Sequence, residues 1–184
     1  MQADVLLRAG MVEIEENKIQ GSATACIVAL DRAKGVIHSA NLGDSGYVLV
    51  RDGDVIYHSP QQEHFFGCPF QLQVGGKDKV TDAQLFSHAV ELGDVIILGS
   101  DGLFDNLHDH EIADVVRFST KRRKKDKHAL KDVANELMDL AFEASSTRGR
   151  KTPYARAASE EFDMVYTGGK KDDITVCIAE VVEI

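Results

Sequence analysis

Carboxylates at the ends of apolar runs are the residues in this chain that most need a chemical reason. Val95-Ile96-Ile97-Leu98-Gly99, entered through Gly93-Asp94, reads as a buried strand, and Ser100-Asp101-Gly102-Leu103-Phe104-Asp105-Asn106 follows it directly. A buried carboxylate is costly unless it is paired or binds a metal. Asp101 and Asp105 therefore either cap a turn and the next helix or belong to an oxygen-ligand metal site. Gly102 lets the backbone turn sharply and another group come close. Asp44, in Asn41-Leu42-Gly43-Asp44-Ser45-Gly46, has the same two readings: a turn residue bonding its own backbone, or a ligand. Asp172 and Asp173 open a third apolar run, Ile174 to Ala179. Three strand ends with carboxylates are better explained by convergence on a cation, because close carboxylates repel unless a cation neutralises them.

The elements that must position these acids are legible from periodicity. Residues 4–16 read as a helix with Val5, Leu6, Ala9 and Val12 on one face, opening partway through an amphipathic pattern with no cap. Gly21 to Leu30, Val36 to Leu42, Tyr47 to Val50 and Val55 to His58 read as four strands joined by short turns, with Asp52-Gly53 a strong hairpin signal. Such succession implies an antiparallel sheet and excludes βαβ units here. Residues 59–80 are irregular and rich in aromatics, with His64 a satisfied loop histidine, and Thr81 to Glu91 supplies one more extended segment.

Asp109 caps a helix whose inner face is Ile112, Val115 and Val116. Leu130, Val133, Ala134, Leu137, Leu140, Ala141 and Ala144 form the core stripe of a second helix. Thr152 and Pro153 start a third, with Ala155, Ala158 and Phe162 inward. Ile174 to Ala179, apolar on both faces, reads as a central strand.

Composition narrows the function. The chain of 184 residues fits one domain, and 43% hydrophobic content is that of an ordinary globular protein. A net charge of −9 argues against nucleic acid as the main partner. Lys121-Arg122-Arg123-Lys124-Lys125 reads as a solvated linker between helices, not a nucleic-acid patch. Cys26, Cys68 and Cys177 form no C-x-x-C pair, so reduced thiols packed as small hydrophobes are expected, in a reducing, intracellular setting. No apolar stretch reaches the roughly 20 residues of a membrane span.

Four motifs in order carry a resemblance: Gly21-Ser22-Ala23-Thr24-Ala25, Asn41-Leu42-Gly43-Asp44-Ser45, Gly99-Ser100-Asp101-Gly102-Leu103-Phe104-Asp105 and Lys171-Asp172-Asp173-Ile174-Thr175-Val176. The chain resembles the metal-dependent Ser/Thr protein phosphatases of type 2C, the PPM family. Phe66 to Leu72, Pro153-Tyr154-Ala155 and Gly168 to Asp173 look more specifically like its mitochondrial, T-cell-activation-related branch. The resemblance implies an α+β fold, a four-layer α-β-β-α sandwich of two antiparallel sheets, as a single domain over 1–184. It implies hydrolysis of phosphoserine and phosphothreonine in proteins by a metal-activated water at a pair of Mn²⁺ or Mg²⁺ ions. Asp101 and Asp172 would be ligands of the pair, and Asp44 and Asp105 would border a weaker third ion. Asp173, Gly102 and Ser100 would stand behind these ligands, Asp173 with the option of extra charge or direct coordination. The partner would be a phosphoprotein substrate. The compartment would be the mitochondrial matrix, with plastid or cytoplasm as alternatives.

The family's early Asp-Gly-x-x-Gly-Gly motif, whose Asp bridges the metals, has no match in this sequence. Asp52-Gly53 belongs to a hairpin and Gly75-Gly76 lacks the aspartate. This departure predicts an N-terminally incomplete domain with exposed sheet edges and weak or absent activity on its own. It also keeps a second reading open, a catalytically inactive phosphatase-like binding or regulatory module.

Overall fold

The computed structural model describes residues 3–18, 20–122 and 129–183. In chain order the elements are α1 (Ala3–Glu16), β1 (Ser22–Ala23), β2 (Ala25–Asp31), β3 (Val36–Leu42), β4 (Gly46–Arg51), β5 (Asp54–His58), β6 (Glu63–Phe65), β7 (Cys68–Pro69) and β8 (Leu72–Gln73). A 3₁₀ turn (Val80–Asp82) leads to β9 (Gln84–Ala89) and β10 (Val95–Gly99), then to α2 (Asp101–Phe104), α3 (Asp109–Arg122), α4 (Ala129–Ser146), α5 (Pro153–Phe162) and β11 (Val176–Glu180). The chain divides into two units, residues 1–46 with 59–91, and 47–58 with 92–184.

In the first unit β2, β3 and β9 form an antiparallel sheet in the order β2-β3-β9, with Ile27 opposite Ala40 and Ala40 opposite Leu85. Ala40 and Leu42 pack with Ala3 and Leu7 of α1 and with Leu72. The helix is where periodicity put it, but its buried face is not: Ala3, Leu7 and Met11 face the sheet, whereas Val5 and Val12 are about half exposed. Both sets have helical spacing, so spacing alone could not choose between them. The single strand expected from Gly21 breaks at Thr24, because β1 leaves to pair with β8. His64 stacks on Phe70 at 4.0 Å and pairs with Asp78.

In the second unit the sheet order is β11-β10-β4-β5. Asp52 and Gly53 both take positive φ, 52° and 83°, as a two-residue hairpin turn between β4 and β5 requires. The four early strands therefore do not make one sheet: β2 and β3 belong to the first unit's sheet, β4 and β5 to the second's. Gly43 to Ser45 is the point of separation, and Gly43 takes φ +100° there. β11 is an edge strand among the described residues, pairing with β10 from Val95↔Glu180 to Gly99↔Val176. Cys177 and Ala179 are exposed on it, which corrects both the expectation of a central strand and that of a packed Cys177.

The helices of this unit bury the expected stripes. Ile112, Val115 and Val116 of α3 meet Val133, Leu137, Ala141 and Ala144 of α4 around Val48, Val95 and Ile97. Immediately before β10, Asp94 is 1% exposed and is held by Arg51 in a two-pronged ion pair, Nε to Oδ1 at 2.9 Å and Nη2 to Oδ2 at 2.7 Å. Thr152 caps α5 by accepting from the Ala155 amide, with Pro153 in the first turn. Phe162, expected inward, is half exposed and lies against Tyr166 instead. Of the basic run, Arg123 to Lys125 lie outside the described residues. No helix among the described residues is long and apolar enough to cross a membrane.

Candidate metal centre

The site builds up from the end of β10. Ser100 stays extended (φ −73°, ψ 170°) before α2, and its hydroxyl donates to the Asp173 carbonyl (2.8 Å) while accepting from the Thr175 amide (3.0 Å). The Ser100 amide donates in turn to the Thr175 carbonyl (3.2 Å). This stitch carries the β10–β11 pairing onward and sets the segment bearing Asp172 and Asp173 against α2. Gly102 is required there: a Cβ would stand 2.5 Å from the Asp173 carbonyl oxygen, so any side chain would push that segment away.

Asn106 fastens the other end of the segment. Fully buried, it donates from Nδ2 to the carbonyls of Gly102 (2.9 Å) and Lys170 (2.8 Å), and its Oδ1 accepts from the Lys170 amide (3.0 Å). The start of α5 is tied to the same place by the Tyr154 amide, which donates to the Asp105 carbonyl (2.9 Å). Upstream, Thr152 donates to the Gly168 carbonyl (2.7 Å).

Held this way, three carboxylates converge on one nitrogen. The Lys170 ammonium lies 2.6 Å from Asp101 Oδ2, 3.0 Å from Asp105 Oδ2 and 3.3 Å from Asp172 Oδ2. Burial alone would depress the Lys170 ammonium, but its hydrogen bonds to Asp101 and Asp105, with their charges, outweigh it and raise it well above the ordinary lysine range. Asp172 is held below the usual carboxylate range, first by the hydrogen bond from the Asp173 amide and then by Lys170, against the opposing effect of burial. One ammonium against three carboxylates leaves a formal excess of negative charge, and carboxylate oxygens are the donors that Mg²⁺ and Mn²⁺ prefer. The donor set therefore fits a divalent ion in chemistry. As they stand, no three His, Cys, Asp or Glu side chains among the described residues are grouped so as to hold a metal ion.

Asp44 lies in the first unit, partly buried at the end of β3. There the first two motifs are joined, Thr24 Oγ1 to Ser45 Oγ at 2.8 Å, and Gly43 is packed so closely that a Cβ would stand 2.5 Å from Thr24 Cγ2. The third and fourth motifs are joined in the second unit by Ser100 and Asn106. Lys170 and Asn106 both fall inside quoted motifs but were given no role by sequence reasoning. The available signal was a lysine two positions before paired acids.

Asp109 proves not to be a cap. His108 precedes α3, and Glu111 reaches back to accept from its amide (2.8 Å). Asp109 instead meets His58 Nδ1 at 2.7 Å. That hydrogen bond, then the charges of His58, His108 and His110, hold the Asp109 carboxyl below the usual range despite partial burial. A carboxyl depressed in the folded state stabilises above its unfolded pKa, about 3.9, and loses that contribution as pH falls through the folded value. Asp109→Asn should thus lower the urea midpoint at pH 6, and its gap from the parent protein should shrink as pH falls below the ordinary carboxylate range. A gap independent of pH would show that the pair contributes nothing through charge.

The combination of helices and antiparallel sheets matches that of solved PP2C-type phosphatases. A solved structure of this class, the photosystem II phosphatase PBCP, superposes with a TM-score of 0.78 at 28% identity, covering 95% of this chain and 77% of that one. The catalytic domain of the serine/threonine phosphatase PstP, solved with two manganese ions, shares the fold with a TM-score of 0.60 at 19% identity, covering 96% of this chain and 67% of that one. The family model described as stage II sporulation protein E (SpoIIE) matches residues 5–182. The chain belongs to this SpoIIE/PP2C-type phosphatase-domain family. The human protein phosphatase PTC7 homolog is 36% identical across 97% of this chain, which spans 60% of that relative's length.

Proposed function

We propose that the protein hydrolyses phosphoserine and phosphothreonine in phosphoproteins with the help of Mn²⁺ or Mg²⁺, and that residues 1–184 act as one phosphatase domain. The observation that carries this reading is the convergence of Asp101, Asp105 and Asp172 on a single cation. Asp101 and Asp172 would hold the paired ions, and Asp105 would border a weaker third. When bound, such ions supply the charge that clamps a phosphate and lowers the pKa of an attacking water. The chain's own part is to aim the acids: Ser100 and Gly102 seat the Asp172 segment, and Asn106 fixes the backbone of Lys170. No side-chain nucleophile is needed. Family membership supports the reaction class, and the motif resemblance supports a mitochondrial matrix setting.

A second reading is favoured by Lys170 itself: an acid cluster already neutralised from within suits a phosphatase-like binding module without catalysis. Hydrolysis of a phosphothreonine peptide, followed across Mn²⁺ concentrations, separates the two. Turnover that rises with Mn²⁺ and vanishes with chelator is expected. No turnover at any Mn²⁺ concentration would leave the binding module as the better description.

A further inference from the structure

A divalent ion held between Asp101 and Asp172 cannot share that point with an ammonium. Lys170 occupies that point, within 3.3 Å of all three acids. We propose that Lys170 is a built-in counter-cation: it holds the acids together without metal, and binding of a divalent ion is an exchange in which the ammonium is displaced. This rests on the metal reading given above.

The structure separates the parts of Lys170 that must stay from the part that must move. Its backbone is clamped on both sides by buried Asn106, through the Lys170 amide (3.0 Å) and carbonyl (2.8 Å). Displacement therefore requires only rotation of a flexible four-carbon stem. A second seat lies alongside: the ammonium is 5.9 Å from the centroid of the Tyr154 ring, whose face attracts a cation. The Tyr154 backbone amide donates a hydrogen bond to the Asp105 carbonyl, so the backbone carrying this ring is part of the same framework.

The sign of the effect follows from charge. Without Lys170 the three acids repel, and a divalent ion gains all the neutralisation now supplied by the ammonium. With Lys170 present, the ion binds only the fraction of molecules in which the ammonium has swung away, and its apparent affinity falls by that fraction. A lysine acting only as structural support would give the opposite result, because its loss would disorder the ligands and weaken binding.

Calorimetric titration of the full chain with Mn²⁺ tests this on the parent protein, Lys170→Met and Lys170→Arg, with metal-free thermal melts in parallel. Lys170→Met should bind Mn²⁺ about tenfold or more tightly, melt lower without metal, and recover as Mn²⁺ is added. Lys170→Arg, which keeps a cation at the position, should bind Mn²⁺ close to parental strength. If Lys170→Met is unfolded without metal, recovery of its far-ultraviolet dichroism on adding Mn²⁺ supports the exchange, and no recovery overturns it. Equal or weaker binding by a folded Lys170→Met, with the parent protein still binding, overturns the exchange and leaves the metal reading intact. No Mn²⁺ binding by the parent protein or either variant overturns both.

Discussion

Asn106→Ala is expected to destabilise the protein by about 2–4 kcal/mol, a loss of roughly 5–15 °C in melting temperature for a domain of this size. Asn106 is fully buried and uses both ends of its carboxamide. Alanine would strand the Lys170 amide and remove the donor shared by the Gly102 and Lys170 carbonyls. A buried polar group left without a partner costs more than the bond itself was worth. The neighbouring backbone cannot close the gap freely. A Cβ on Gly169 would already collide with Asn106 Oδ1 and stand 2.5 Å from the Ala144 carbonyl, so this segment is packed against α4 as closely as glycine allows. Asn106→Asp should be worse, since it keeps one acceptor but loses both donated bonds and adds an anion beside Asp105. Urea denaturation of the parent and both variants provides the check. A shift under about 0.5 kcal/mol, the range of an ordinary surface change, would mean that solvent replaces the carboxamide and that the clamp on Lys170 is not structural.

Much of this arrangement is legible in the amino-acid sequence. The strand ending at Gly99, the α4 stripe and the Thr152–Pro153 helix start follow from periodicity and capping chemistry, which act over a few residues. Asp101, Asp105 and Asp172, with Asp44, could be singled out because a carboxylate at a strand end is costly unless it caps a turn, is paired or binds a metal. What stayed hidden depends on partners distant in sequence. Whether α1 turns Val5 or Leu7 inward is decided by Leu42 and Leu72, which no local pattern reveals. The apolar character of Ile174 to Ala179 suggested a strand covered on both faces, yet β11 alternates partly buried and exposed positions at the edge of its sheet. Asp109 has the composition of a cap, but His58, fifty-one residues away, claims it. Lys170 escaped notice for the same reason: a lysine beside acids in sequence is ordinarily a solvated charge, and only the fold turns it onto Asp101, sixty-nine residues away.

Asp101→Asn should separate metal binding from folding, and its effect on the first is expected to be the largest of any single change. Asparagine keeps the size of the side chain and an oxygen able to accept from Lys170, while Asp105 and Asp172 still hold the ammonium at 3.0 and 3.3 Å. The metal-free protein should therefore melt close to the parent. A divalent ion loses more than the ammonium does, because the attraction to a removed charge scales with the charge of the ion. Losing a ligand outright should exceed the tenfold to hundredfold penalty of disturbing a ligand's support, so Mn²⁺ affinity should fall on the order of a hundredfold or more. Any Mn²⁺-dependent phosphatase activity should fall with it. Weakening the anchor of Lys170 works in the other direction by easing its displacement, so Asp101→Asn combined with Lys170→Met should bind Mn²⁺ better than Asp101→Asn alone. Parental Mn²⁺ affinity in a folded Asp101→Asn variant would remove Asp101 from the ligand set and return it to the role of a helix-start residue paired with a lysine.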